Sequence, residues 1–153
     1  MKILITGIPG TGKTTIGNYL ASAKGFEHLD IEAALKRHDA VGAKIIDDFM
    51  SSPAENKVVT WGFIPETDDF GVKQLIDLGY RMIWFDGNRD AARKAFLERG
   101  DVPVVALDNQ MIKIERFNLD KFNPVCINTF LENGTFIEKE DIVELIFKSL
   151  SKV

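Results

Sequence analysis

Short apolar runs bounded by glycine or acidic residues alternate along this chain with stretches whose apolar residues recur every three or four positions. The runs read as strands and the spaced stretches as amphipathic helices, an alternation that predicts a parallel sheet covered on both faces. Strands are expected at residues 2–6, 26–30, 57–61, 81–86 and 125–129. Helices are expected at residues 13–23, 31–38, 43–50, 67–78, 89–98 and 139–149. Gly25, Gly79 and Gly100 stop three of these helices, and Ser51-Ser52-Pro53 breaks a fourth. Residues 101–121 fit neither period, and an irregular segment of that length inside a compact domain predicts a moving lid. The whole, residues 1–153, reads as one α/β domain without internal repeats.

Between the first strand and the first helix stands Gly7-Ile8-Pro9-Gly10-Thr11-Gly12-Lys13-Thr14, which fills the pattern G-x-x-x-x-G-K-[ST]. Glycines let the backbone turn tightly so that successive N–H groups point inward at an anion, and the helix starting near Gly12 adds its positive end. Gly7, Pro9, Gly10, Thr11, Gly12, Lys13, Thr14 and Thr15 are therefore the expected nucleotide contacts. Lys13 would reach the β- and γ-phosphates of ATP, and the Thr14 hydroxyl would hold Mg²⁺.

Composition narrows the partners. With a net charge of −4 and a pI near 5.2, the chain has no overall basic field for a nucleic-acid backbone or an anionic membrane. No apolar run reaches the roughly 18 residues of a membrane span, and the apolar start runs directly into the glycine loop, unlike a cleavable leader. A single cysteine, Cys126, forms no internal disulfide; its setting suggests a buried strand position and an unreactive thiol. These features point to a cytoplasmic protein. His28 and His38 have no neighbours at metal-ligand spacing.

The chain resembles the clan of small P-loop phosphotransferases that includes adenylate, shikimate and gluconate kinases. Beyond the glycine loop, Trp61-Gly62-Phe63-Ile64-Pro65-Glu66-Thr67 is similar to the Asp-Gly-Phe-Pro-Arg-Thr segment of adenylate kinases. Asp30-Ile31-Glu32 is similar to the Asp-x-Asp after strand two of shikimate kinases. Arg99-Gly100 followed by residues 107–115 is similar to the lid of gluconate kinases. The resemblance implies a three-layer fold with a five-stranded parallel sheet of order 2-3-1-4-5, an acceptor site above strands two and three, and a short arginine-bearing lid over ATP. It also implies an ATP- and Mg²⁺-dependent transfer of the γ-phosphate to a hydroxyl of a small metabolite. The chain departs from adenylate kinases at Trp61, which replaces an aspartate, and at Glu66, which replaces the acceptor arginine. Glu66, Asp68 and Asp69 together repel a phosphate dianion, which weighs against a nucleotide acceptor.

Each candidate has a second reading. Asp30 suits the orientation or deprotonation of an acceptor hydroxyl, and equally suits the N-cap of the following helix. Glu32 reads as a second acceptor contact or as a first-turn carboxylate. Trp61, Gly62 and Phe63 read as acceptor contacts, with core packing the alternative for both aromatics. Arg93 and Arg99 are expected on the transferring phosphate, with solvated helix positions as the alternative; Arg89 and Arg116 lie in the same region. Asp86 resembles a Walker B carboxylate and reads as structural. Two alternative functions stand beside the metabolite kinase: a nucleoside or nucleoside-monophosphate kinase, and a kinase-like ATP-binding or ATPase module. A guanine switch is disfavoured, because Asn56-Lys57 lacks the aspartate of a guanine-reading motif and precedes a strand.

Overall fold

The computed structural model describes residues 1–37, 40–100 and 102–152. His38 and Asp101, where an expected helix ended and the expected lid began, lie outside them. The strands are β1 (Lys2–Gly7), β2 (Glu27–Asp30), β3 (Lys57–Thr60), β4 (Arg81–Asp86) and β5 (Val125–Asn128). They pair in parallel in the order β2-β3-β1-β4-β5, as the resemblance implied.

The helices are α1 (Lys13–Lys24), α2 (Ile31–Leu35), α3 (Ala40–Ser51), α4 (Asp69–Asp77), α5 (Arg89–Glu98), α6 (Val104–Arg116) and α7 (Lys139–Leu150). None among the described residues is long and apolar enough to cross a membrane. Strand side chains alternate between two apolar layers. Ile3, Ile5, Val58, Ile83 and Phe85 pack against Ile16 and Leu20 of α1 and Ile142, Val143 and Ile146 of α7. On the other face Leu4, Val59 and Trp84 meet Ile31 of α2, Phe49 of α3, Val72 of α4, Ala92 of α5 and Ile114 of α6. Central strands buried on both faces explain the unbroken apolar runs 3–5 in β1 and 58–59 in β3.

Three expectations are corrected. Residues 104–116, read as irregular, form helix α6, whose Leu107 and Ile114 are buried at helical spacing with Met111 packed between them. A 3₁₀ turn follows at Leu119–Phe122. Cys126 lies in a strand but is exposed, because β5 is the sheet edge and the cysteine points away from the core that takes Ile127. Phe63, expected against an acceptor, is fully buried, edge-on to Trp84, Phe117 and Phe122 at centroid distances of 6.4, 5.4 and 6.3 Å. Three aromatic partners in a closed layer satisfy it more fully than a ligand at the strand mouth would.

Candidate functional site

The glycine loop is shaped by what presses on it. A Cβ on Gly7 would lie 2.1 Å from the Phe85 carbonyl oxygen, and one on Gly10 only 1.9 Å from that of Ala92. The loop therefore nests against β4 on one side and α5 on the other, and both glycines, with Gly12, have positive φ. Gly12 precedes α1 without a side-chain cap, so the first-turn N–H groups of that helix have no side-chain acceptor at this position. The buried Thr11 hydroxyl donates to the Ile8 carbonyl at 2.8 Å and pins the loop from inside. Pro9 borders the space between α5 and α6, and Thr15 is exposed on the first turn of α1.

Lys13 folds back onto this loop, its Nζ donating to the Ile8 carbonyl at 2.9 Å and the Gly7 carbonyl at 3.4 Å. Burial lowers its pKa from 10.5 to about 8; the nearby Arg99 charge works in the same direction, while Glu32 and Asp30 oppose it. Lys13, Arg99, Glu32 and Asp30 thus share one electrostatic neighbourhood, although they belong to α1, the end of α5, α2 and β2.

Asp30, the last residue of β2, is the N-cap that the sequence offered as one of its two readings, and its second oxygen takes a further partner. Its Oδ1 accepts from the Ala33 N–H at 3.0 Å as the N-cap of α2, and its Oδ2 accepts from the Thr14 hydroxyl at 2.9 Å. Behind it His28 contacts Thr60 Oγ1 at 2.8 Å through Nε2 and Asn18 Oδ1 at 3.0 Å through Nδ1. Burial lowers the His28 pKa, which favours the neutral ring in this brace. Glu32 reaches across to the end of β3, where a Cβ on Gly62 would fall 2.0 Å from its Oε1. The absent side chain of Gly62 is thus what admits the Glu32 carboxylate. Trp61 is half-buried against Gly71 of α4, where a Cβ would lie 2.5 Å from its ring. Glu66 has φ +68°, a strained value for a side-chain-bearing residue, and its N–H donates to Asp69.

On the opposite side of the loop the arginines of α5 are held by carboxylates of α6. Arg93 pairs with Asp108, and Arg89 lies 3.0 Å from Glu115 and 3.4 Å from Asp86. Arg99 ends α5 with its guanidinium 5.5 Å above the Phe96 ring. Arg116 is exposed at the end of α6. Helices α5 and α6, with Ile8 and Pro9, enclose a cavity of about 460 Å³.

Two residues around the site were not singled out from the sequence. Gln110 of α6 donates to the Phe63 carbonyl at 3.1 Å and ties α6 to the turn after β3. Phe136, in the turn after β5, stacks on Phe130 at 4.4 Å and approaches within 3.6 Å of where a Gly12 Cβ would stand. Nothing local marks either, because each contact joins segments far apart in sequence.

No protein-family model matches the chain. It is 32% identical over 142 residues to a cytidylate kinase of Caldicellulosiruptor bescii, covering 93% of this chain and 57% of that protein. It is 30% identical over 122 residues to a putative adenylate kinase of Methanocaldococcus jannaschii, covering 74% of this chain and 67% of the relative. In structure it is similar to a gluconokinase from Sinorhizobium meliloti, with a TM-score of 0.64 at 15% identity over 99% of this chain and 91% of the other.

Proposed function

The chain belongs to the clan of P-loop nucleotide and small-molecule kinases, and from that premise we propose that it moves the γ-phosphate of ATP to a hydroxyl of a small metabolite. The observation that carries this reading is the contact of Thr14 Oγ1 with Asp30 Oδ2 at 2.9 Å. It puts a hydroxyl suited to a metal and a carboxylate suited to an acceptor hydroxyl side by side, in the electrostatic neighbourhood of Lys13.

Thr14 Oγ1 is a hard oxygen donor, and no group of three His, Cys, Asp or Glu that would form a protein cage gathers among the described residues. That suits Mg²⁺, which favours one or two protein oxygens completed by phosphate oxygens and water. When bound, the ion supplies positive charge to the phosphate oxygens. Lys13 and Arg99 add to that charge from the protein. In the transfer the acceptor oxygen bonds to the γ-phosphorus as the bond from that phosphorus to the β–γ bridging oxygen breaks, and the electron pair leaves with ADP. Asp30 orients the acceptor hydroxyl and takes its proton, passing it to water. Glu32, Trp61 and Gly62 border the acceptor at the ends of β2 and β3.

A nucleoside or nucleoside monophosphate as acceptor is the second reading, favoured by the two nucleotide-kinase relatives. The chain spans little more than half of the cytidylate kinase it matches, so the acceptor is not carried over by similarity. The test is ADP release over a panel of sugars, sugar acids, nucleosides and nucleotides, with acceptor-free hydrolysis as the baseline. Release above that baseline for one acceptor, lost in Asp30→Asn at retained ATP affinity, supports phosphotransfer. Release that never leaves the baseline supports an ATP-binding or ATPase module.

A further inference from the structure

We infer that His28 is a positioning residue for phosphotransfer: by bridging Asn18 of α1 and Thr60 of β3, it fixes where the Asp30 carboxylate stands against the glycine loop. The inference rests on the phosphotransfer reading above and identifies the support on which its acceptor-orienting carboxylate depends.

Asp30 ends a four-residue strand at the edge of the sheet, so a neighbouring strand, β3, holds it on one side only. Its reach to Thr14 is therefore set by how α1 sits on β2. Side-chain hydrogen bonds join these two elements at two levels, Thr14 with Asp30 and Asn18 with His28. Thr14 and Asn18 stand about one helical turn apart, roughly 6 Å along the axis at 1.5 Å per residue. His28 and Asp30 share one strand face, roughly 6.6 Å apart at 3.3 Å per residue. The spacings match, so the two contacts are rungs of one ladder and a shift in one displaces the other.

His28 is the stiffer rung. Asn18 Oδ1 can only accept, so Nδ1 of the ring carries the hydrogen and Nε2 accepts from the Thr60 hydroxyl. Thr60 is buried and is the register partner of Asp30 on β3. The ring thus ties α1, β2 and β3 together one rung from the carboxylate. A Cβ on Gly17 would lie 2.4 Å from His28 Nε2 and 2.7 Å from Thr60 Cγ2, so α1 rests on the ring and its height above the sheet is set there. An apolar side chain would fill this space without fixing a direction, because hydrophobic contact has none, whereas a hydrogen bond weakens steeply once bent.

Asn18→Ala tests this with the least disturbance, because Asn18 is exposed within α1 and alanine favours a helix. It removes only the acceptor of the ring N–H. The assay is ADP release above the acceptor-free baseline, with Mg²⁺, ATP and an acceptor that the wild type turns over. The kcat is expected to fall by about tenfold in Asn18→Ala, and further in His28→Phe, which keeps a ring and removes both nitrogens. The KM for ATP is expected to stay within about twofold in both, the mark of a contact that serves the reacting geometry and not nucleotide binding. Thermal unfolding of Asn18→Ala is expected at or above the wild-type temperature, which separates positioning from a loss of folded protein. Should His28→Phe fail to fold, Asn18→Ala alone decides. An unchanged kcat in Asn18→Ala overturns the inference and leaves phosphotransfer standing. So does a fall in kcat matched by an equal weakening of ATP, which would make His28 a support of the glycine loop instead of Asp30. A wild type that never exceeds the baseline with any acceptor counts against phosphotransfer itself, and this inference falls with it.

Discussion

Replacing Lys13 with methionine should stabilise the fold while removing the cation on which nucleotide binding depends. The Lys13 pKa falls from 10.5 to about 8 in the folded protein. By the linkage between pKa and free energy this corresponds to a cost of roughly 3 kcal/mol for keeping the ammonium charged at neutral pH. Methionine keeps most of the side-chain stem and removes that cost. Against this, the Ile8 and Gly7 carbonyls lose a donor, although Ile8 keeps the Thr11 hydroxyl. That loss offsets about 1–2 kcal/mol. The net gain at pH 7 is about 1–2 kcal/mol, or a rise in Tm of roughly 2–8 °C for a domain of this size. The sign follows from proton binding. Below pH 8 both folded and unfolded chains hold the proton and the penalty is complete. Between about 8 and 10.5 the folded chain releases it first, so the wild type gains stability as pH rises. Above 10.5 the advantage of Lys13→Met is gone. Urea unfolding of both proteins at pH 7 and pH 10 measures this directly, because other titrating groups cancel in the difference. A Lys13→Met variant less stable than wild type at pH 7, or a difference that stays the same at both pH values, would refute the reasoning.

Gly10→Ala should be among the most damaging single-methyl additions, because the new Cβ would stand 1.9 Å from the Ala92 carbonyl oxygen at φ +81°. A loss of about 2 kcal/mol or more by thermal melting is expected from overpacking and strain. Asp30 separates its two roles by substitution: Asp30→Asn keeps an N-cap for α2 and should change stability by less than about 0.5 kcal/mol, whereas Asp30→Ala should lose about 1 kcal/mol. Both should abolish ADP release above baseline, and retained transfer in Asp30→Asn would contradict the proposed role. Since phosphate anions favour the charged amine, nucleotide binding above pH 8 should be accompanied by proton uptake at Lys13. Calorimetry in buffers of different ionisation enthalpy reads this, and uptake that persists undiminished in Lys13→Met would assign it elsewhere.

The residues most legible in the sequence were those whose role is set by neighbours in the chain. The glycine loop is one, since its turn demands Gly7, Gly10 and Gly12 at fixed spacing before Lys13. The sheet follows from apolar runs that must be buried on both faces. Helix α6 was obscured because Val104, Val105 and Ile112 are exposed by about half or more and blur the spacing of Leu107, Met111 and Ile114. Phe63 was misplaced because an aromatic at a strand end looks the same whether it faces a ligand or a neighbouring layer. The pairing of Arg93 with Asp108 joins two helices through a turn whose geometry the residue pattern does not encode. Asp30 shows the intermediate case: an aspartate before a helix signals a cap, but only the approach of α1 to β2 reveals that its second oxygen receives Thr14.

The most direct measurement is a calorimetric titration of ATP, with and without Mg²⁺, into the wild type and Lys13→Met at pH 7. Magnesium-dependent binding by the wild type at one site, weakened by tenfold or more in the methionine variant, is the expected result. Absence of binding to the wild type, or equal affinity in the two proteins, would contradict the assignment of the glycine loop and Lys13 as the seat of the nucleotide phosphates.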